Sequence, residues 1–358
     1  MLLTNSPKVL QITSMNIWRG GEVHVFLLCR GLMSSGVSVT LACRSGSPID
    51  QKARDAGIPV INLRLKNAID LKSAWTLANY CRKNSIDMIH AHNGRDYWMA
   101  SLAKFFNLQL KVVITRHILA PLKDTAMHRW LYKKVDRVIV VSQAVKKAIT
   151  VFPPEKVSVV YNGIDVAKFA AAPAGTLRKE LGLSARTKIV GMVGRVNPSK
   201  GHMIFFQSIP AILSEQPETV FIVAGGGDIA ELKRTNPKVH FLGERGDVPE
   251  IMKDLDVFVM ASRNEPFGLV TVEAMAAGAS VVATNSGGTA EIIVDGENGL
   301  LFPPDDSAKL AQAVIKVLAD QKLADKLKEG GINTAQKYDI DGMVANTLNI
   351  YQDILGFR

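Results

Sequence analysis

Residues 257–273 read VFVMASRNEPFGLVTVE and contain the repeating unit of the whole chain. The first five residues are apolar and rich in β-branched and aromatic types, which is typical of a strand buried in a parallel sheet. A polar turn around Glu265 and Gly268 follows, and an apolar segment that contains Glu273 then predicts a helix. A strand that leads through a short loop into a helix is the building block of doubly wound α/β proteins.

The same pattern recurs on both sides of this stretch. Predicted strands lie at 9–14, 37–43, 59–63, 88–92, 112–117, 137–142 and 157–161 in the first half, and at 188–194, 219–224, 239–243, 257–262, 280–284 and 299–302 in the second. Helix-period segments separate most of them. The fold class is therefore α/β, with two buried parallel sheets.

The alternation stops between the two halves, where 165–183 contains small and turn-forming residues and no strand signal. We therefore predict a first domain at residues 1–165, a linker at 166–187, a second domain at 188–338 and a final helix at 339–358. Two doubly wound domains of this kind are expected to face a ligand cleft with the carboxyl ends of their strands.

Composition narrows the protein class. The chain has 358 residues and 47% hydrophobic content, enough for a large core in two domains. No apolar run is long enough for a membrane span, and residues 1–7 lack signal-peptide features. The three cysteines lie in apolar-periodic segments, as reduced core thiols do. These features predict a soluble, cytoplasmic protein.

The net charge of +10 is unevenly distributed. Residues 1–165 hold 23 Lys and Arg against 10 Asp and Glu, a charge of +13, whereas residues 166–358 hold 20 against 23, a charge of −3. An anionic membrane surface or a phosphorylated lipid would explain the basic half, and so would a dispersed solvated face. No nucleic-acid-binding module is recognisable.

Two motifs in the second half carry chemistry. Residues 194–201 read GRVNPSKG between a predicted strand and a predicted helix, so Arg195 and Lys200 would meet an anion near a helix start. This spacing differs from that of a Walker loop. Glu265 and Glu273 supply two carboxylates, for which ligand hydroxyls or internal ion pairs are alternative partners.

Signals in the first half are weaker. Gly20 and Gly21 follow the first strand, where a flexible turn or a phosphate contact would both use glycine. His117 ends a predicted strand. His90 and His92 share one strand face without a visible third ligand, so we predict no metal site. The glycines at 225–227 lack the full spacing of a dinucleotide loop.

Across almost its whole length the chain resembles the retaining GT-B glycosyltransferases of family 4. The resemblance rests on the paired glycines at 20–21, the strand at 87–92, the segments 115–117 and 162–165, the GRVNPSKG motif, the Glu-x7-Glu spacing, and the segments 287–291 and 298–300. It implies a GT-B architecture of two Rossmann-like domains facing across a cleft, with the final helix crossing back to the first domain.

The resemblance also implies roles. Arg195 and Lys200 would stabilise the donor diphosphate, Glu273 would bind the ribose, and Glu265 with the backbone of Phe267, Gly268 and Leu269 would hold the sugar. His117 would lie near the reacting centre, with Gly20, Gly21 and Gly194 on the phosphate side. No cofactor and no metal are expected.

The implied activity is transfer of a sugar from a nucleotide-sugar donor to a saccharide or lipid-linked acceptor, in envelope polysaccharide or lipopolysaccharide assembly. Peripheral attachment to the inner face of the cytoplasmic membrane is a further hypothesis, based on the cationic and aromatic segment 128–134. The alternatives are a nucleotide-sugar 2-epimerase and a non-catalytic nucleotide-sugar-binding subunit.

Overall fold

The computed structural model describes residues 6–65 and 70–356, and the chain divides into two compact units. The first unit combines Met1–Gly163 with Ile340–Arg358, and the second is Ile164–Asp339. Both units are parallel α/β structures, as the alternating pattern predicts. Each is described below by itself.

The first unit alternates strands with helices along the chain. Its strands are β1 (Lys8–Ile12), β2 (Ser38–Cys43), β3 (Val60–Asn62), β4 (Met88–Ala91), β5 (Lys111–Arg116), β6 (Arg137–Val140) and β7 (Val157–Val159). Its helices are α1 (Gly20–Ser34), α2 (Pro48–Asp55), α3 (Leu71–Lys83), α4 (Gly94–Phe106), α5 (Ala126–Tyr132) and α6 (Gln143–Lys147), with one turn of 3-10 helix at Pro154–Lys156.

These strands form a parallel sheet, seven-stranded within the described residues, in the order β3-β2-β1-β4-β5-β6-β7. The order reverses direction between β1 and β4, which pair directly. In open α/β sheets such a switch point leaves a crevice beyond the carboxyl ends of the two strands, where ligands bind. The loops after β1 and β4, and the loop after the neighbouring β5, therefore border this crevice.

The second unit follows the same plan. Its strands are β8 (Ile189–Val193), β9 (Val220–Ala224), β10 (Val239–Gly243), β11 (Val257–Met260), β12 (Ser280–Thr284) and β13 (Leu300–Phe302). Its helices are α7 (Val166–Ala170), α8 (Thr176–Glu180), α9 (His202–Glu215), α10 (Ala230–Thr235), α11 (Val248–Lys253), α12 (Leu269–Ala277), α13 (Thr289–Ile292), α14 (Ser307–Ala319) and α15 (Gln321–Ala335), with 3-10 turns at Pro198–Lys200 and Gln336–Tyr338.

The strands of the second unit pair in parallel in the order β10-β9-β8-β11-β12-β13. The direction of winding reverses between β8 and β11, where Val190 pairs with Val257 and Gly191 with Phe258. The sheet packs against α9 and α14 through buried apolar side chains such as Phe205, Phe221 and Val314. This core holds the loops that follow β8 and β11.

The segment predicted as a linker at 166–187 lies inside the second unit and contains α7 and α8. Buried Val166, Phe169 and Leu177 anchor these two short helices, and α7 packs against α11 and α12. Asp254 accepts hydrogen bonds from the backbone N–H groups of Gly175 and Leu177, at 2.5 and 2.8 Å. The small residues of this segment therefore form tight turns between packed helices, which their composition alone does not distinguish from a linker.

The final helix α16 (Ile340–Leu355) belongs to the first unit and packs against α1, as the sequence predicts. The contact is close, because a Cβ added to Gly31 would lie 2.4 Å from a methyl group of Val344. Tyr351 of α16 is fully buried in the core of the first unit. The chain thus returns to complete the core of the first unit, which also contains Val9 of β1.

Among the described residues, no helix combines the length and the apolar character that crossing a membrane would require.

Candidate functional site

The sequence motifs of the second unit meet at its switch point. Gly194 follows β8 directly, and the loop that contains Glu265 follows β11, the neighbouring strand. Because both strands run in the same direction, both loops emerge at the carboxyl edge of the sheet. This is where doubly wound sheets bind ligands. Two motifs separated by about 70 positions therefore form one candidate site.

The loop after β9 also belongs to this edge, although its sequence does not match a dinucleotide loop. Gly225 has φ +154°, and a Cβ there would lie 2.0 Å from the carbonyl oxygen of Gly194. Val196 N donates a hydrogen bond to Gly226 O at 2.9 Å. The glycines at 225–227 thus let two backbone loops lie side by side. Their role is backbone packing beside the candidate site.

Gly201 sets the position of Lys200. It has φ +74° and caps the start of α9, and a Cβ there would lie only 2.1 Å from the carbonyl oxygen of Ala261. Glycine is therefore required both by the left-handed backbone and by the close approach of the loop after β11. Lys200 Nζ consequently reaches the Glu265 carboxylate, 2.6 Å from Oε2.

Arg195 differs from Lys200 in its surroundings. Its side chain is exposed, and among the described residues it makes no ion pair or hydrogen bond. Lys200 keeps 30% of its side-chain surface accessible beside Glu265. One free guanidinium and one partly exposed ammonium thus share the carboxyl edge of this sheet. Guanidinium and ammonium groups are the usual protein ligands of a phosphate group.

The backbone of the Glu265 loop packs against the glycines at 287–288. Gly288 N donates to Glu265 O at 2.8 Å, and a Cβ at Gly287 would lie 2.3 Å from that same oxygen. A Cβ at Gly288 would lie 2.4 Å from Pro266 O. A larger residue at either position would displace the loop, so these glycines fix the position of the Glu265 backbone.

Helix α12 starts at this loop. Gly268 caps it with φ +106°, and Leu269 is its first residue. First-turn N–H groups have no acceptor within a helix, and the helix start attracts negative or electron-rich groups. Phe267 is only 2% exposed, and its ring packs edge-on against Tyr338, with centroids 5.4 Å apart. Its side chain therefore belongs to the packing of the loop, and only its backbone is considered as a ligand contact.

Glu273 lies one turn further along α12 and is partly buried. Burial raises the pKa of its carboxyl to about 7, opposed by the charge of Lys168 on α7. Among the described residues it has no hydrogen bond and no ion pair within 4.0 Å. The internal ion pair considered from the sequence is therefore absent among the described residues.

In the first unit, Gly20 and Gly21 are the first two residues of α1, which follows β1 at the switch point. A Cβ at Gly21 would meet no atom within 4 Å, so packing within the unit does not require glycine there. Space beside a helix start is what an approaching phosphate or sugar would use. The ligand role of Gly21 stays a prediction, and the flexible turn remains its alternative.

His117 follows β5 and belongs to a cluster of four histidines. The ring centroid of His24 lies 4.7 Å from that of His117, and those of His90 and His92 are 4.3 Å apart. Burial lowers the pKa of His90, His92 and His117 well below the ordinary value, so these imidazoles are neutral at pH 7. The sequence showed His90, His92 and His117 at strand ends but gave no sign that His24 joins them.

A hydrogen-bonded network orients these rings. Tyr351 Oη lies 2.6 Å from His90 Nδ1 and accepts from Gln11 Nε2 at 3.0 Å. The Gln11 carbonyl oxygen lies 2.7 Å from His92 Nε2, so that nitrogen carries the proton. His92 Nδ1 then presents a lone pair toward His117 Nε2, 3.4 Å away. The final helix therefore helps to set the orientation of His117.

Three of the histidines are spaced as metal ligands could be. His24, His92 and His117 place one ring nitrogen each within 4.8 Å of one another. Both ring nitrogens of His24 are buried without a partner, as is Asn162 Oδ1. The sequence showed no third ligand beside His90 and His92, whereas the structure places His24 of α1 and His117 beside His92. The expectation that no metal binds stays a prediction.

The comparisons agree with the two-unit architecture. The family model described as "Glycosyltransferase Family 4" matches residues 18–168, and that described as "Glycosyl transferases group 1" matches residues 174–334. A crystal structure of Anabaena HepE in complex with UDP superposes with a TM-score of 0.84 at 23% identity, covering 97% of this chain and all of that one. This likeness shows the shared fold.

Curated relatives extend the comparison. The lipopolysaccharide core biosynthesis mannosyltransferase LpsB of Rhizobium meliloti is 31% identical over 270 residues, 71% of this chain and 75% of LpsB. The UDP-Gal:α-D-GlcNAc-diphosphoundecaprenol α-1,3-galactosyltransferase of Escherichia coli is 25% identical over 88% of this chain and 89% of that protein. An uncharacterised glycosyltransferase of Methanocaldococcus jannaschii is 32% identical, and the chain spans 60% of its length. With both family models matched in sequence order and its carboxyl-edge motifs assembled, this chain belongs to glycosyltransferase family 4, with the GT-B fold.

Proposed function

We propose that the enzyme transfers a sugar from a nucleoside diphosphate-sugar donor to an acceptor hydroxyl, with retention of the anomeric configuration and without a metal. The observation that supports the donor class is the placement of Arg195, Lys200, Glu265 and Glu273 at one switch point of the second unit, where Lys200 contacts Glu265. Two cations suit a diphosphate, and two carboxylates suit sugar and ribose hydroxyls.

The second unit supplies the donor contacts in this proposal. Arg195 binds phosphate oxygens with its planar guanidinium, and Lys200 adds a point charge. Glu273, on the helix that follows, accepts hydrogen bonds from the ribose hydroxyls. Glu265 and the start of α12 hold the sugar, because Lys200 Nζ holds the Glu265 carboxylate in place at 2.6 Å. From the first unit we assign His117 to the transferred sugar and Gly20 and Gly21 to the diphosphate.

The chemistry follows from these charges. The bond between the anomeric carbon and the diphosphate oxygen breaks, and the bond to the acceptor oxygen forms on the same face of the sugar. The acceptor proton passes to the departing diphosphate, so no side chain has to act as nucleophile or base. Arg195 and Lys200 stabilise the negative charge that develops on the leaving group. These two cations supply the positive charge that a metal ion would otherwise provide.

The acceptor is proposed to be a saccharide or lipid-linked saccharide of the cell envelope. LpsB acts in lipopolysaccharide core biosynthesis, and the Escherichia coli relative acts on a diphosphoundecaprenol-linked sugar, according to their names. In the first unit, Met127 and Trp130 of α5 are about half exposed beside Arg129. This surface supports peripheral attachment to an anionic membrane on its cytoplasmic face.

Attachment can be tested by sedimentation with vesicles at moderate salt. The full chain is expected to bind vesicles that contain phosphatidylglycerol and to leave neutral phosphatidylcholine vesicles unbound. Equal binding to both would remove the membrane from the proposal without affecting the donor site.

The donor assignment is tested by thermal shift with a panel of UDP-, GDP- and ADP-sugars. One nucleotide class is expected to raise the Tm, and the double variant Arg195→Ala/Lys200→Ala is expected to lose that shift. Lys233→Ala/Arg234→Ala is the matched control, because it removes the same two charges from the exposed helix α10 of the same unit. A shift that survives in the Arg195/Lys200 variant would contradict the assignment.

A further inference from the structure

The first unit contains a cavity of about 320 Å³ that the donor site does not use. It lies among α4, α5 and the loop after β5, and its size is at the lower end of the range of small-molecule sites, roughly 300–1,000 Å³. The lining includes three cationic residues, three aromatic residues and one imidazole: Arg95, Arg116, Lys123, Tyr97, Trp98, Tyr132 and His128.

The cavity is positively charged. Of the described residues that line it, none is acidic. Two acids adjoin lining residues in the sequence. Arg129 Nε and Nη2 donate to the two oxygens of Asp124 at 2.7 and 3.0 Å, and Asp96, which is buried and lies between Arg95 and Tyr97 in the sequence, accepts from Ser14 N at 3.2 Å. Lys123 and Arg116 make no ion pair within the described part of the chain. A phosphate group entering the cavity would therefore meet Arg116 and Lys123, neither of which is paired with a carboxylate of the described residues.

Arg116 gives the clearest indication of a missing anion. Its side chain is 9% exposed, yet it has no carboxylate partner among the described residues. Nη2 donates to the carbonyl oxygen of Ala120 at 2.9 Å, which holds the loop, whereas Nε is buried without an acceptor. A buried charge is costly unless it is paired and hydrogen-bonded. An anionic ligand would remove this cost.

The aromatic walls of the cavity are suited to contact the sugar ring of a ligand that also carries a phosphate group. Trp98 and His128 meet edge-on with centroids 5.2 Å apart, and His128 lies 6.0 Å from Tyr132. Aromatic faces provide apolar surface with a polar rim, the character that a sugar ring requires. The cavity is thus both cationic and aromatic.

The cavity is adjacent to His117 along the chain. Arg116 is the last residue of β5, and His117 follows it. Successive strand residues point to opposite faces of a sheet, so Arg116 faces the cavity while His117 joins the histidine cluster. A saccharide anchored at Arg116 would have its neighbouring hydroxyls near the carboxyl end of β5.

We propose that this cavity binds a phosphate group carried by the acceptor, so that the substrate class is a phosphorylated saccharide or a saccharide linked through phosphate to a lipid. The proposal rests on the proposed function, because only a transferase reaction has an acceptor. The binding of phosphate itself is independent of that function. Arg116 and Lys123 are the specificity-determining residues.

The test is calorimetric titration of the full chain in the Arg195→Ala/Lys200→Ala background, which removes the donor cations. Glucose 6-phosphate and inorganic phosphate are expected to bind, and glucose is expected to bind at least tenfold more weakly. Adding Lys123→Gln is expected to weaken glucose 6-phosphate at least threefold, and Arg116→Gln at least tenfold. Lys133→Gln, an exposed lysine at the end of α5 that does not line the cavity, is the control.

Equal binding of glucose and glucose 6-phosphate would overturn the proposal, and so would equal effects of the variants at Lys123 and Lys133. Because Lys123 is exposed, its variant tests the proposal even if the Arg116 variant does not fold. Vesicles with phosphatidylglycerol distinguish the sources. Tighter, Lys123-dependent vesicle binding assigns the phosphate to a lipid carrier, and its absence assigns it to the saccharide. Failure of the donor thermal shift would contradict the proposed function and leave this result unchanged.

Discussion

Lys200 Nζ lies 2.6 Å from Glu265 Oε2, although 65 positions separate the two residues. The contact joins the loop after β8 to the loop after β11, the two strands at the switch point of the second unit. Glu265 keeps 14% of its side-chain surface exposed, so the pair is largely withdrawn from water without being closed off. It fixes a cation and a carboxylate at the same place in the site.

Replacing Lys200 by alanine is expected to weaken donor binding at least tenfold and also to lower stability by about 1–3 kcal/mol, because a mostly buried carboxylate loses its partner. Glu265→Gln keeps a hydrogen-bond acceptor for Lys200 and should lower kcat more than stability. Donor titration and urea unfolding check both values. Equal donor affinity in the wild type and the Lys200 variant would contradict the role of the lysine.

The carboxyl of Glu273 predicts a pH dependence. Its pKa in the folded protein is raised to about 7 from the ordinary value of 4.5, so the folded state holds a proton that the unfolded state releases between these values. Its contribution to stability is therefore fully present below about pH 4.5 and is lost as the pH rises to 7. Glu273→Gln should increase the free energy of unfolding at pH 8, by on the order of 1–3 kcal/mol.

Donor binding should show the opposite pH trend at the same residue. Ribose hydroxyls donate to the ionised carboxylate, so donor affinity should rise between pH 6 and pH 8 and should become flatter in Glu273→Gln. Titrations at three pH values check this. A pH dependence that is identical in the variant would assign it to another group.

Gly201 and Gly296 offer a matched pair of substitutions. Their φ angles are +74° and +76°, but a Cβ would meet Ala261 O at 2.1 Å in the first case and no atom within 4 Å in the second. Gly296→Ala should cost only the left-handed backbone, about 1–2 kcal/mol. Gly201→Ala should cost more and should also abolish the donor thermal shift, because the loop after β11 must move. Equal costs would contradict the close approach.

Tyr351→Phe tests the connection between the final helix and the histidines. The substitution removes the hydroxyl that Gln11 and His90 share, and it leaves buried polar groups without partners. The expected loss is about 1–3 kcal/mol in urea unfolding, with reduced kcat because the His92 and His117 rings lose an ordering contact. Tyr80→Phe on α3, where the side chain is only partly buried, serves as the control and should be nearly neutral.

Removal of metal ions should leave turnover unchanged, whereas added Zn²⁺ should lower it. If the two cations replace a metal, EDTA leaves turnover unchanged. Added Zn²⁺ should inhibit, because His24, His92 and His117 provide neutral imidazoles within 4.8 Å and the ion would occupy His117. His24→Leu should relieve the inhibition. A loss of activity with EDTA that Mg²⁺ restores would overturn the metal-independent reaction.

Much of this architecture could be predicted from the pattern of residues. Each of the thirteen described strands overlaps a predicted one, because buried parallel strands are continuous apolar runs that composition reveals. Helices α7 and α8 were missed, since five-residue helices have too few positions for a periodic signal. What holds them is tertiary, namely buried Phe169 and Leu177 and the capping carboxylate of Asp254.

The candidate site divides in the same way. The sequence pattern was enough to select Arg195, Lys200, Glu265 and Glu273 as candidate site residues, because charged residues that follow apolar strands are visible in the sequence. The role of the glycines at 225–227 and the inclusion of His24 depend on contacts across tens of positions, which no local pattern encodes. The partner of Glu273 could not be decided either, since an ion pair depends on which helix packs beside it.

The sequence by itself determined the α/β class, the succession of strands and helices along the chain, and the residue types that we propose to meet a nucleotide-sugar, because these depend on hydrophobic periodicity and on side-chain charge. The tertiary structure alone decided which loops share an edge, how far Glu265 lies from Lys200, and which imidazoles orient His117. The physical reason is that strand order in a parallel sheet is set by how helices cover its faces. Distances between loops follow from that packing and have no counterpart in chain separation.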